Sequence, residues 1–315
     1  MKKILVVGAG GQIGSELTSA LRNVYGANNV VATDLRDHLK FAVDGPYEKL
    51  DVLDPFALAH VVHKYNIDSI FNLVALLSAT GEANPMFAWK VNMGALMNCL
   101  EVSKNFGCSC FTPSSIGAFG NTTPKDNTPQ DTIMQPNTIY GVCKVTGEML
   151  SNYYFERFGV DTRSVRFPGL ISSLTLPGGG TTDYAVEIFY SAVKGEKFIC
   201  PVPKGNYMDM MYMPDAIDAC INLMEADPKK FIHRNSFNIA SMSFTPPMLY
   251  EALKKRVPTL EMEYVDDPIR AAISASWPNK LDDTCAREEW GWKPKWDMNS
   301  MIDDMLIKIK AKLNK

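Results

Sequence analysis

Apolar residues in the first 170 positions follow two alternating rhythms. Short, largely β-branched runs occupy Lys3–Val7, Asn29–Thr33, Ser69–Val74, Cys108–Thr112 and Thr162–Phe167. Between them lie helical patterns at Gln12–Tyr25, Pro55–Tyr65, Pro85–Asn105 and Thr138–Phe158. Short continuous runs suit buried strands, and the longer spaced stretches suit amphipathic helices. Their alternation predicts an α/β fold, a Rossmann-type doubly wound parallel sheet with helices on both faces.

After Gly169 the rhythm changes. A glycine-rich stretch, Leu176-Pro-Gly-Gly-Gly-Thr-Thr182, is followed by proline-bounded pieces. Helical patterns return at Asp183–Val193, Pro214–Glu225, Pro247–Lys255 and Asn299–Leu313. Residues 1–170 are therefore expected to form the sheet domain, and 171–315 mainly a smaller C-terminal substrate lobe over the strand ends. The two are expected to interleave, because a strand near 236–240 can return to the main sheet.

Composition narrows the class. The chain has 315 residues, 46% hydrophobic and 21% charged, with a formal net charge of −3. These values are ordinary for a globular protein and point to neither a nucleic-acid nor a membrane partner. The N-terminal apolar run stops at Gly8, too short for a signal peptide, and no run approaches the ~20 residues of a membrane span. A cytoplasmic protein is expected. Seven scattered cysteines without paired spacing predict reduced thiols, with no metal site and no disulfide framework.

Candidate chemistry begins at Gly8-Ala-Gly-Gly-Gln-Ile-Gly14, between the first strand and the first helix. Gly8, Gly11 and Gly14 permit a tight turn and a close backbone approach to a diphosphate. Gln12 and Ile13 open a helix whose N-terminus favours negative charge. Asp34 ends the second strand, where a carboxylate accepts from ribose hydroxyls and repels a 2′-phosphate. This favours NAD over NADP. Tyr140 and Lys144, four apart, share one helix face. The lysine ammonium favours the tyrosine's anionic form, which can take a proton from an alcohol. Ser114 and Ser115, just past a strand end, are placed to bond the reacting oxygen.

The glycine turn, Ser114-Ser115, Tyr140-x-x-x-Lys144, Arg166-Phe-Pro-Gly169 and Glu289-Trp-Gly-Trp-Lys-Pro294 together resemble the extended short-chain dehydrogenase/reductase family. That resemblance implies an NAD-dependent enzyme. In it Ser115 polarises the substrate oxygen, Tyr140 is the base and Lys144 its partner. It also implies cofactor contacts from Asp51 and Val52 at the adenine, Leu73 and Ala75 beside the adenosine, Asn92, and Pro168 beside the carboxamide.

Two branches compete. Nucleotide-sugar epimerases and dehydratases carry an arginine in R-D-x-x-Y-V-x-D, where this chain has Met208, and no arginine lies between Arg166 and Arg234. Gly178-Gly-Gly-Thr-Thr-Asp-Tyr-Ala185, Ser78 and Ser276-Trp-Pro278 instead resemble the branch that oxidises L-threonine. Thr181, Thr182 and Ser78 are its implied substrate contacts, and the reaction needs no metal. A non-catalytic dinucleotide sensor is the reading from another class. The apolar surplus on Pro85–Asn105 and Thr138–Phe158, with Met93, Leu96, Met97, Leu100, Met149, Leu150, Tyr153 and Tyr154, together with the family resemblance, implies a homodimer through a four-helix bundle.

Overall fold

The computed structural model describes residues 1–39, 44–176, 180–234 and 236–314. From the N-terminus it runs β1 (Ile4–Val7), α1 (Gln12–Tyr25), β2 (Val30–Asp34), β3 (Tyr47–Lys49), α2 (Pro55–Tyr65) and β4 (Ser69–Asn72). Then come α3 (Ser78–Ala83), α4 (Pro85–Phe106), β5 (Ser109–Phe111), β6 (Ser114–Ser115), α5 (Ile139–Phe158), β7 (Thr162–Arg163), β8 (Val165–Phe167) and β9 (Gly169–Ile171). The second half contains α6 (Tyr184–Lys194), β10 (Phe198–Cys200), β11 (Met208–Tyr212), α7 (Met213–Glu225), β12 (Phe237–Asn238) and β13 (Met242–Phe244). It ends with α8 (Pro246–Lys254), β14 (Met262–Tyr264), α9 (Pro268–Ser276), α10 (Thr284–Trp290) and α11 (Met298–Leu313).

The main sheet has the order β3-β2-β1-β4-β5-β7, with every pair parallel. After Ser164 the same chain path continues as β8, which pairs in parallel with β6 and β12. The helix boundaries follow from caps present in the sequence. Asp54 accepts from Phe56 and Ala57 at the head of α2, Asn84 from Phe87 at α4, and Thr138 from Gly141 at α5. Gly107 and Gly159 close α4 and α5 in the left-handed conformation that glycine adopts without penalty.

Three apolar clusters hold the layers together. One joins α1 and α7 to one face of the sheet, and a second joins α2, α4 and α5 to the other. The third forms the lobe around α6, α8 and α11. Strand β11 divides its side chains by the two-residue period of a strand. Met208, Met210 and Tyr212 enter the lobe cluster, and Met211 enters the sheet cluster.

The surplus of apolar residues on α4 and α5 resolves unevenly. Met93, Leu96, Leu100 and Tyr154 are buried in the core, with Met97 and Leu150 packed against it. Only Met149 and Tyr153 of the eight are exposed, beside Met86, Phe87 and Trp89. The two helices pack on each other, which accounts for most of the surplus within one chain. Among the described residues no helix is long and apolar enough to cross a membrane.

Candidate active site

A cleft of about 360 Å³ opens over the carboxyl ends of the strands, between the sheet and the lobe. The glycine turn forms one end. Gly8 has φ +80°, which L side chains rarely adopt, and Gly11 donates its N–H to the Gly8 carbonyl at 3.1 Å. Gly14 packs so closely that a Cβ there would lie 2.3 Å from that same carbonyl oxygen. Helix α1 begins after Gly11 with no side-chain cap, and Gly11–Gly14 line the cleft. First-turn N–H groups with no intrahelical partner favour an anion. The amide nitrogen of Gln12 is buried there without a hydrogen-bond partner. These features fit the diphosphate of a dinucleotide.

Asp34 Oδ2 accepts from the Gly10 N–H at 2.9 Å, and Arg36 reaches back to Asp34 Oδ1 at 3.3 Å and to the Gly10 carbonyl at 3.2 Å. Arg36 is thereby occupied by Asp34 and the glycine turn. Asp34 stands behind the turn rather than in the cleft wall. Asp51 holds its own turn through the Leu53 N–H, and the buried Val52 offers its carbonyl to Asn98.

Helix α5 presents Tyr140, Lys144 and Glu148 at intervals of four along one face. Lys144 Nζ lies 5.3 Å from the centre of the Tyr140 ring and donates to the Pro113 carbonyl at 2.6 Å. One turn on, Glu148 accepts from the Ser114 hydroxyl. Glu148 is also paired with Arg166 at 2.8 Å, both almost wholly buried. Arg166 donates further to the Gln130 carbonyl at 2.7 Å and to Asn238 Oδ1 at 2.9 Å. The Pro113–Ser115 segment is thus tied to α5 at two successive turns.

Ser115 Oγ accepts from the Gly117 N–H at 3.1 Å, and the Tyr140 ring packs beside Gly117. Ser114 lines the cleft, but its hydroxyl is directed to Glu148. The expectation that both serines bond the reacting oxygen therefore narrows to Ser115.

Of the other expected site residues, Leu73, Ala75, Ser78, Pro168, Thr181 and Thr182 line the cleft. Gly8, Asp34, Asp51, Val52 and Asn92 do not. Both ends of the Asn92 carboxamide are engaged by the Leu76 backbone, at 2.7 and 3.2 Å. It holds the loop after β4, so its bearing on a cofactor is indirect. Gly178 and Gly179, part of the glycine-rich signature, lie outside the described residues.

Residues absent from the sequence-based site complete the wall, among them Thr175, Leu176, Asp183 and Trp277. Trp277 stands in the Ser276-Trp-Pro278 motif, which was a usable signal. Thr175 had none. The Thr175 and Thr181 hydroxyls are buried with no hydrogen-bond partner among the described residues. Met208 does not face the cleft; it is fully buried in the lobe core. Among the described residues, Lys144 is the only cationic side chain in the cleft wall.

Residues 4–240 match the model of the NAD dependent epimerase/dehydratase family. The chain belongs to that family. An uncharacterized epimerase/dehydratase of Staphylococcus aureus is 54% identical over 314 residues, covering 99% of this chain and 98% of that protein. Among solved structures, the L-threonine dehydrogenase of Clostridium difficile superimposes with a TM-score of 0.97 at 51% identity, covering 99% and 98% of the two chains. A monomeric L-threonine 3-dehydrogenase from a metagenome gives 0.95 at 39% identity, covering 99% and 100%. Family membership accords with the turn, the Tyr–Lys pair and the parallel sheet described above.

Proposed function

We propose that this member of the family oxidises the β-hydroxyl of L-threonine with NAD, giving 2-amino-3-oxobutanoate. The observation that carries the reading is the electrostatic character of the cleft. A nucleotide-sugar diphosphate calls for cationic contacts beyond the cofactor site. Lys144 is the only cation in the described wall, and that wall includes Thr175 and Thr181, whose buried hydroxyls have no partner among the described residues. That environment suits a small polar substrate. The two L-threonine dehydrogenases of known structure support the same choice.

Gly8, Gly11, Gln12, Ile13 and Gly14 would hold the cofactor diphosphate, and Asp34 the adenosine ribose. Asp51, Val52, Leu73 and Ala75 would frame the adenosine, with Pro168 near the carboxamide. Bound there, NAD supplies a hydride acceptor. Ser115 and Tyr140 hold the threonine β-hydroxyl between them, and the Tyr140 oxygen takes its proton. Lys144 favours the phenolate form of Tyr140 that accepts this proton, and stays anchored on the Pro113 carbonyl. Ser78, Thr181 and Thr182 orient the rest of the amino acid.

The test is NADH formation with L-threonine set against UDP-glucose and UDP-galactose. Turnover of L-threonine alone is expected. Epimerisation of UDP-glucose with no threonine oxidation would overturn the proposal. NAD should be preferred strongly over NADP, and Asp34→Ala should narrow that preference. Equal use of both cofactors by the unaltered protein would remove Asp34 from the account.

A homodimer through α4 and α5 belongs to the same proposal, supported by the exposed Met86, Phe87, Trp89, Met149 and Tyr153. A monomeric mass by light scattering at micromolar concentration would reject it.

A further inference from the structure

Away from the cleft, three segments distant in sequence meet at the head of α10. His233, in the segment before β12, has its ring between two sets of electron-rich atoms. Its Nδ1 hydrogen-bonds Glu289 of α10. Its Nε2 faces Asp131 Oδ2 at 3.4 Å and Cys285 Sγ at 4.0 Å. Glu289 is buried and also accepts the N–H groups of Ile232 and His233 at 2.6 and 3.0 Å, so the ring is held from behind. An imidazole whose Nδ1–H is given to a carboxylate carries a lone pair on Nε2. Nε2 has a carboxylate oxygen and a sulfur within 4.0 Å, three atoms that a cation between them would satisfy together.

We propose that His233 Nε2, Cys285 Sγ and Asp131 Oδ2 bind a zinc-class divalent metal ion, with Glu289 as the carboxylate behind the histidine. Metal-bound histidines commonly donate their other ring N–H to such a partner. Nitrogen, thiolate and carboxylate together suit zinc, and a water can take the fourth position. Tetrahedral ligands at ordinary zinc bond lengths stand about 3.3–3.6 Å apart. The imidazole–carboxylate separation already meets that value, and the imidazole–sulfur separation is a few tenths of an ångström wider. Asp131 is exposed enough to swing onto the ion.

The surrounding charge agrees. Glu289, Asp282, Asp131 and Glu288 place negative charge around Cys285, and that field attracts a divalent cation. Arg234, the adjoining positive side chain, is directed to Asp161 at 2.9 Å. Binding would replace the thiol proton with the metal and release that proton to solvent. No short spacing in the sequence announces this cluster, since its ligands are spread over 131, 233 and 285.

The test uses the full chain, freed of metal by a chelator and titrated with Co²⁺ as an optical probe. One equivalent should give a thiolate-to-cobalt charge-transfer band that Zn²⁺ abolishes by displacement. Cys285→Ser should remove the band while the far-UV circular dichroism stays unchanged. Asp131→Asn, at an exposed position, should weaken binding at least tenfold. Zn²⁺ should raise the thermal midpoint of the unaltered protein and not that of Cys285→Ser. Absence of the band, or its survival in Cys285→Ser, would overturn the proposal. So would a midpoint indifferent to Zn²⁺, which would mean that a proton alone joins His233 to Asp131.

Discussion

The two walls of the cleft are built to different rules. The floor, from α5 to β8, joins Ser114, Glu148, Arg166, Gln130 and Asn238 in one chain of hydrogen bonds beneath the Ser115 turn, with Lys144 bonded to the neighbouring Pro113 carbonyl. The roof, from the lobe, buries the Thr175 and Thr181 hydroxyls without partners among the described residues. A satisfied buried network fixes geometry, whereas an unpaired buried hydroxyl costs free energy until something bonds it. On the proposed function, the floor is set before substrate arrives, and the roof hydroxyls gain a partner only with substrate. Changes in the floor should then damage turnover and folding, and changes in the roof should damage substrate affinity alone.

The largest effect is expected at the floor's reacting edge. Tyr140→Phe keeps the ring and removes the oxygen, and loss of a general base typically lowers rate by about 10²–10⁴-fold. The drop should appear in kcat, with NAD affinity by fluorescence titration nearly unchanged. Near-normal turnover would move the proton transfer elsewhere.

Glu148→Gln probes the floor's foundation. The amide nitrogen would confront Arg166, and removal of one partner from a buried ion pair typically costs about 3–5 kcal/mol. Denaturant unfolding should show that loss. A shifted Ser114–Ser115 turn should also lower kcat by roughly 10–100-fold, because small misplacements of reacting groups are costly. Wild-type stability and kcat together in this variant would show that the floor does not depend on the pair.

These tests also mark where sequence reading succeeded and where it ran out. The long helices were legible because their ends carry local chemistry, such as Asp54 before Pro55, Thr138 before Ile139 and Gly159 after Phe158. The glycine turn and the Tyr140–Lys144 pair were legible for the same reason, being short in sequence. Helices α3 and α10 were missed because each has fewer than eight residues and little room for periodicity. Ser114 and Asn92 depend on partners 34 and 16 residues away, which no local pattern reveals. Met208 was legible as a missing arginine, but its depth in the lobe core needed the fold.

A third test turns on pH. Asp209 is buried in the lobe and accepts the Leu281 N–H at 2.9 Å. Burial raises its carboxyl from 3.8 to about 7. The folded state thus favours the protonated acid. Its stabilising contribution is complete below about 3.8 and is lost as pH rises through about 7. At its steepest the loss is roughly 1.4 kcal/mol per pH unit. Asp209→Asn has no such proton, so its stability relative to wild type should improve steadily across that window. Parallel unfolding curves at pH 4 and pH 8 would refute the assignment. The slope is the readout, because the new amide brings a pH-independent cost of its own.

The smallest effect in energy is the one that best separates the two walls. Thr181 is 2% exposed, its hydroxyl has no partner among the described residues, and it lines the cleft. In the free protein, Thr181→Ala deletes a group that makes no hydrogen bond, so stability should hold within about 0.5 kcal/mol or rise slightly. In the substrate complex the same change removes one hydrogen bond, worth about 1 kcal/mol, and KM for L-threonine should rise roughly fivefold with NAD affinity spared. Thr182→Ala should raise KM as well, but its methyl packs against Gly169, so it should also loosen the contact between lobe and sheet. A floor residue cannot reproduce the Thr181 pattern, since its removal strands a buried partner. If Thr181→Ala instead destabilised the free protein and left KM unchanged, the hydroxyl would have a structural role, and the distinction between a finished floor and a substrate-completed roof would fail at its clearest position.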